Sequence, residues 1–235
     1  ISETSMSKQT VIITGAGGGL AVHVARAFEQ AGWQMGLVAY DDAERERVMA
    51  AHPHSTVSVG DLSHADSAQA CLHEITQAIG TPHALLNIAG GFAMASATDT
   101  TPAALEAQLS INLRTAFNAT RALLPDMLDR GNGFILGVGA AAALDGGAAM
   151  GAYAASKAAL IAWLKSLRAE IAPKGIDVSI LYPMAAIDTP GNRHAMPDAD
   201  PSQWINPQEL AATIMHLATR SGRGRLLEAR VYPPA

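Results

Sequence analysis

Short apolar runs alternate with amphipathic helical stretches along nearly the whole chain, and that alternation leaves few folds open. Runs with strand character occupy 9–14, 33–40, 56–62, 83–91, 133–139, 176–183 and 225–232. Between them, apolar spacing predicts helices over 20–32, 42–52, 63–80, 100–131, 152–175 and 207–220. The third of these is expected to be capped near Ser63, and the fourth carries Pro102 in its first turn. Strand–helix alternation implies a doubly wound, mostly parallel α/β sheet of about seven strands with helices on both faces. In such sheets ligands bind beyond the carboxyl ends of the strands. The longest irregular stretch, 184–207, leaves such an end and is expected to act as a functional loop or lid.

The 235 residues suit one domain, expected over 6–235, with residues 1–5 read as an appended remnant outside the fold. Only 16% of residues are charged while 49% are hydrophobic, which provides a large core. A net charge of −5 and the lack of a Lys/Arg cluster argue against nucleic acid and anionic membranes as partners. Cys71, the single cysteine, is expected to be a small core residue and permits no internal disulfide. With no signal-peptide pattern and no bilayer-length apolar run, a cytoplasmic setting is expected. The eight histidines show no metal-ligand spacing, so no metal site is expected.

The first strand runs into TGAGGGLA, residues 14–21, and then into a helix. Gly15, Gly17 and Gly19 allow a sharp turn and close approach to a pyrophosphate, and the helix N-terminus beyond Leu20 adds free N–H groups. Asp61 and Leu62 end the third strand, and Asn87, Ala89 and Gly90 end the fourth, on the same rim as that turn. Asp61 there suits an adenine amino group or is simply a strand-end acid; Asn87 suits the ligand rim or a structural bond between strands. Tyr153 and Lys157, four apart on a predicted helix, share one face. An ammonium beside a phenol favours the phenolate, so Lys157 is expected to lower the Tyr153 pKa and make it a proton donor and acceptor.

Taken in order, T-G-x-x-x-G, Asp61, N-x-A-G, Asn112 on the long helix and Y-x-x-x-K resemble the short-chain dehydrogenase/reductases. The resemblance runs from Met6 to the end and implies a Rossmann-type fold that binds NAD(H) or NADP(H). It implies that Tyr153 is the proton donor, that Lys157 tunes it and holds the nicotinamide ribose, and that Asn112 supports a water relay. It also implies cofactor contacts at Ala39, Tyr40, Pro183, Ile187 and Thr189, and a homodimer or homotetramer built on the Ala-rich helices. Ala21 stands where the family often has the last glycine of the turn.

The family usually carries a serine thirteen residues before the tyrosine, as a second donor to a substrate carbonyl; here that position is Ala140, between Gly139 and Ala141. Dihydropteridine reductases lack the serine and reduce an activated, conjugated acceptor. Three stretches are similar to that branch: Gly139 to Gly146, the AGGF of Ala89 to Phe92, and the loop from Asp188 to Asp200. The expectation is hydride transfer to such an acceptor, with a quinonoid dihydropterin as the candidate, and with a general carbonyl reductase or alcohol dehydrogenase and a non-catalytic dinucleotide binder as alternatives. Ala39 leaves room for a 2′-phosphate, Asp41 and Asp42 oppose it, and Arg45 and Arg47 offer compensation, so cofactor choice leans slightly to NADP over NAD. Asp145 reads as a substrate contact or, more simply, as a turn aspartate. Arg193 and Trp204 read as clamps on a flat substrate or as pins for the loop.

Overall fold

The protein is described here by a computed structural model covering residues 8–220 and 223–235; the remnant read in residues 1–5 lies outside the described residues. Seven parallel strands make one sheet: β1 (Thr10–Thr14), β2 (Gln34–Ala39), β3 (Thr56–Val59), β4 (Ala84–Asn87), β5 (Gly133–Val138), β6 (Ile176–Pro183) and β7 (Glu228–Val231). Their spatial order is β3-β2-β1-β4-β5-β6-β7. The chain reverses direction across the sheet between β1 and β4, the switch point at which a crevice opens at the strand ends.

TVIIT of β1 is buried along its whole length because both sheet faces are covered. Alternate side chains enter two cores. Val11 and Ile13 pack with α1 (Ala21–Gln30) and α9 (Pro207–Thr219), whereas Ile12 packs with α3 (Ala65–Ile79), α5 (Thr115–Arg130) and α7 (Gly151–Ile171). The helices bury the matching stripes: Ala21, Val24, Ala25 and Phe28 on α1, and Leu160, Leu164, Leu167 and Ile171 on α7. Full burial of such side chains contributes roughly 1.5–3 kcal/mol each.

Several boundaries differ from those read in the sequence. Strands β3 and β4 stop at Val59 and Asn87, so Asp61, Leu62, Ala89 and Gly90 lie in connections that have left the ladder. Helix α3 starts after His64, whose side chain makes no cap, rather than at a Ser63 cap. The helix expected over 100–131 is α4 (Pro102–Leu109), one π turn (Ser110–Arg114) and then α5. The remaining helices are α2 (Asp42–Ala51), between β2 and β3, and α6 (Ala142–Asp145), between β5 and α7. The loop 184–207 carries α8 (Pro190–Ala195), capped by Thr189 with Pro190 at its start, and a 3₁₀ turn at Pro201–Gln203. A parallel bridge between Ile187 and Ile205 closes this excursion at its base.

Candidate active site

A cleft of about 880 Å³ opens along the carboxyl ends of the strands and runs from the glycine turn to Tyr153. Thr14, the last residue of β1, braces its floor. The Thr14 Oγ1 accepts from the Ile88 and Ala89 N–H groups, both at 3.1 Å, and so clamps the β4 exit to the β1 exit. Gly15 follows with φ +65°, and a Cβ there would lie 2.8 Å from Ala89 Cα; only glycine meets both demands. The N–H groups of Gly19 and Leu20 take no partner within the described protein and precede α1. That donor set, at a helix N-terminus, fits the pyrophosphate of a dinucleotide.

Most residues selected from the sequence meet in this cleft. Gly15, Gly19, Leu20, Ala39 and Tyr40 line one end, with Asp61 and Leu62 beside them. Ala89, Gly90, Pro183, Ile187 and Thr189 line the middle, and Tyr153 and Lys157 the other end. Asp61 is oriented by its neighbours: its carboxylate accepts from the Ser63 N–H at 2.9 Å and pairs with His64 Nδ1 at 3.1 Å. Partial burial raises the Asp61 pKa, but the bonds from Ser63 and His64 outweigh it and hold the acid below its usual range.

Three selected residues stand behind the wall instead of on it. Gly17 does not line the cleft; its N–H donates to the Glu44 carboxylate at 2.6 Å. Asn87 is buried and donates to Thr120 Oγ1 of α5 at 3.2 Å, a strand-to-helix bond and not one between strands, while its Oδ1 finds no partner among the described residues. Asn112, fully buried, sits in the π turn. Its Nδ2 lies within reach of the Gly91 carbonyl (2.9 Å) and Ser156 Oγ (3.1 Å), and its Oδ1 accepts from the Gly91 N–H at 3.1 Å. The extra residue of a π turn turns this side chain toward the cleft loop. A Cβ on Gly90 would lie 2.9 Å from Asn112 Oδ1 and 3.3 Å from Lys157 Nζ, so both polar atoms face one backbone position.

Lys157 is buried and its Nζ donates to the Val138 carbonyl at 2.9 Å. Burial pushes its pKa down to about 8. Burial also pushes the Tyr153 phenol up to about 12, which corrects the expected lowering. Desolvation disfavours the phenolate and is the cause of that rise. At neutral pH Tyr153 therefore holds its proton.

Around Tyr153 the cleft is apolar. The Phe92 ring stands edge-on to the Tyr153 ring, 4.9 Å between centroids at 89°. Met94, Met150 and Met196 also line the cleft, and Ala140, Ala141 and Ala142 present methyl groups to it where a hydroxyl would polarise a carbonyl. Sequence reasoning passed over the three methionines, which come from separate loops and share no spacing. It also passed over Glu44, although Asp41 and Glu44 have the spacing of a helix capping box.

Other expectations resolve toward structural roles. Asp145 is exposed at the end of α6, outside the cleft wall, as a turn aspartate would be. Arg193 pairs with Asp188 at 2.6 and 2.8 Å, a tie within the loop itself, whereas Trp204 is buried at the loop's far end. Arg45 and Arg47, considered as partners of a 2′-phosphate, are exposed and do not line the cleft. Cys71 lies in the core. Among the described residues no group of three or more His, Cys, Asp or Glu could hold a metal, and no helix is long and apolar enough to cross a membrane.

The family model described as short chain dehydrogenase matches residues 9–200, and the chain belongs to the short-chain dehydrogenase/reductase family. It is accordingly an NAD(P)-dependent dehydrogenase/reductase. Among curated relatives, the ketoacyl reductase HetN of a Nostoc species is 31% identical over 188 residues, 77% of this chain and 64% of that one. The chain thus spans a little under two thirds of that relative's length. The crystal structure of a 3-ketoacyl-(acyl-carrier-protein) reductase from Brucella melitensis complexed with NADH shares the fold, with TM-score 0.84 at 24% identity over 97% of this chain and 98% of that one. A metagenomic short-chain oxidoreductase in complex with NADP gives TM-score 0.81 at 26% identity over 99% and 100% of the two chains.

Proposed function

We propose that the protein reduces an activated, conjugated acceptor of the quinonoid dihydropterin kind, as a member of the dihydropteridine-reductase-like branch. The observation that carries this reading is the alanine wall at Ala140 to Ala142, with Phe92 and the three methionines around it. A carbonyl that becomes an oxyanion loses about 10²–10³ in rate when one such donor is missing. An acceptor that is already electron-poor does not need it. The flat, apolar walls suit a heteroaromatic ring, and the loop from Asp188 to Asp200 that resembles the branch supplies Met196 and Asn192 to the cleft.

The nicotinamide cofactor, NADH or NADPH, supplies the hydride when bound. Tyr153 donates the proton, and its high pKa keeps it loaded at neutral pH. Lys157, charged below about pH 8, offsets the negative charge left on the phenol oxygen and would hold the nicotinamide ribose when the cofactor is bound. Asn112 fixes the Gly90–Gly91 segment against α7 through Gly91 and Ser156, which holds Phe92 and Tyr153 in register. Exposed Leu105 and Phe117, the latter against Trp163, lie on α4, α5 and α7 and suit helix-to-helix packing of two or four copies.

The name of the Nostoc relative favours a second reading, a general carbonyl reductase in which another donor replaces the serine. Purified protein, reduced nicotinamide cofactor and freshly generated quinonoid dihydropterin separate the two. The proposal expects rapid nicotinamide oxidation with the pterin and turnover of simple ketones slower by at least about a hundredfold. Efficient ketone reduction with an inert pterin would replace it by the carbonyl reading.

A further inference from the structure

At the end of the cleft away from Tyr153, the Glu44 carboxylate bridges two backbone donors. Its Oε1 accepts from the Gly17 N–H at 2.6 Å and its Oε2 from the Tyr40 N–H at 2.8 Å. Gly17 belongs to the turn after β1 and Tyr40 follows β2, so one side chain ties the glycine turn to the neighbouring strand end. Asp41 holds it in place, with its Oδ1 accepting from the Glu44 N–H at 2.7 Å. A capping box would send the glutamate back to the N–H of Asp41 itself. Glu44 reaches instead one residue further back and across to Gly17. A Cβ on Gly17 would collide with the Glu44 carboxylate, so this glycine and this glutamate fit as a pair.

In a doubly wound dinucleotide fold, an acidic residue roughly 20 positions beyond the glycine turn accepts the adenosine ribose hydroxyls. That strand-end position is Ala39 here, and Glu44 brings a carboxylate to the same wall from the first turn of α2. Asp61 adds a second carboxylate nearby, and the cation lining the cleft among the described residues is Lys157, at the opposite end. Two backbone donors that a phosphate could use are already occupied by Glu44.

We propose that Glu44 selects the cofactor: its carboxylate accepts the hydroxyls of an unphosphorylated adenosine ribose and repels a 2′-phosphate, so the protein prefers NAD(H) to NADP(H). This preference runs against the slight lean to NADP drawn from Ala39, because the charge it rests on sits on the helix and not on the strand.

The test is equilibrium binding of NADH and NADPH, read by nicotinamide fluorescence without any acceptor. Its outcome is therefore independent of which acceptor the enzyme reduces. Wild-type protein is expected to bind NADH at least about tenfold more tightly than NADPH, the effect of repulsion between like charges on one wall. Glu44→Gln should narrow that ratio by about tenfold, chiefly by tightening NADPH. Glu46→Gln, an exposed neighbour outside the cleft wall, should leave the ratio unchanged. Equal wild-type affinities would overturn the proposal without recourse to any variant. A parallel loss of both dinucleotides in Glu44→Gln would reduce Glu44 to a structural tie and overturn it as well.

Discussion

Lys157→Met should make the protein more stable and stop it working. Burial takes the Lys157 ammonium from an ordinary pKa of 10.5 to about 8. That gap corresponds to about 3 kcal/mol held against folding while the group is charged. The folded protein releases this proton more readily than the unfolded chain does. Below about pH 8 both states carry it and the penalty is full. As pH rises from about 8 to 10.5 the unfolded chain still binds the proton and the folded one does not, so this group's contribution to stability climbs; above 10.5 the penalty is gone. Methionine of similar length carries no such term but forfeits the bond to the Val138 carbonyl, at a cost of about 1 kcal/mol. The variant should therefore be more stable by about 2 kcal/mol at pH 7, or about 4–8 °C in Tm for a chain of this size. By pH 10 the difference should fall close to zero. Urea unfolding of both proteins at the two pH values measures it. A variant less stable at both, or a difference that does not change with pH, would refute the burial argument.

Ala140→Ser places a hydroxyl at the cleft wall beside Tyr153; ketone turnover should rise by about 10²–10³ while turnover of an activated acceptor changes little, and steady-state kinetics on the two substrates checks it. Asn112→Ala strips the partners from the Gly91 N–H and carbonyl and leaves Ser156 short of one, so it should cost about 1–3 kcal/mol in denaturant unfolding and lower turnover through a loosened Phe92 loop. The rate of reduction should decline as pH passes about 8, where Lys157 loses its charge, and the pH profile of kcat reads this directly.

The strands and helices were legible in the sequence because each buries a continuous apolar run or stripe, as in TVIIT of β1 or Val24, Ala25 and Phe28 of α1. Legibility failed where distant residues decide. The π turn at Ser110–Arg114 depends on Asn112 bonding to Gly91 and Ser156, 21 and 44 positions away, and no local pattern announces it. Ser63 has the chemistry of a cap, but its Oγ pairs with His64 Nδ1 at 3.1 Å and the helix begins later. The order of motifs located the cleft, whereas the Tyr153 and Lys157 pKa directions follow from burial, which spacing does not report. Thr189 followed by Pro190 was a readable start for α8, overlooked inside a stretch taken as irregular.

Catalysis in this reading turns on Tyr153 delivering the proton. Single-turnover hydride transfer by Tyr153→Phe, with cofactor saturating and each acceptor in turn, tests it most directly. The expected result is a fall of about 10²–10⁴ with an unchanged dinucleotide Kd, because the phenol lines the far end of the cleft and acts in the reaction step. Full turnover of every acceptor by Tyr153→Phe would contradict it.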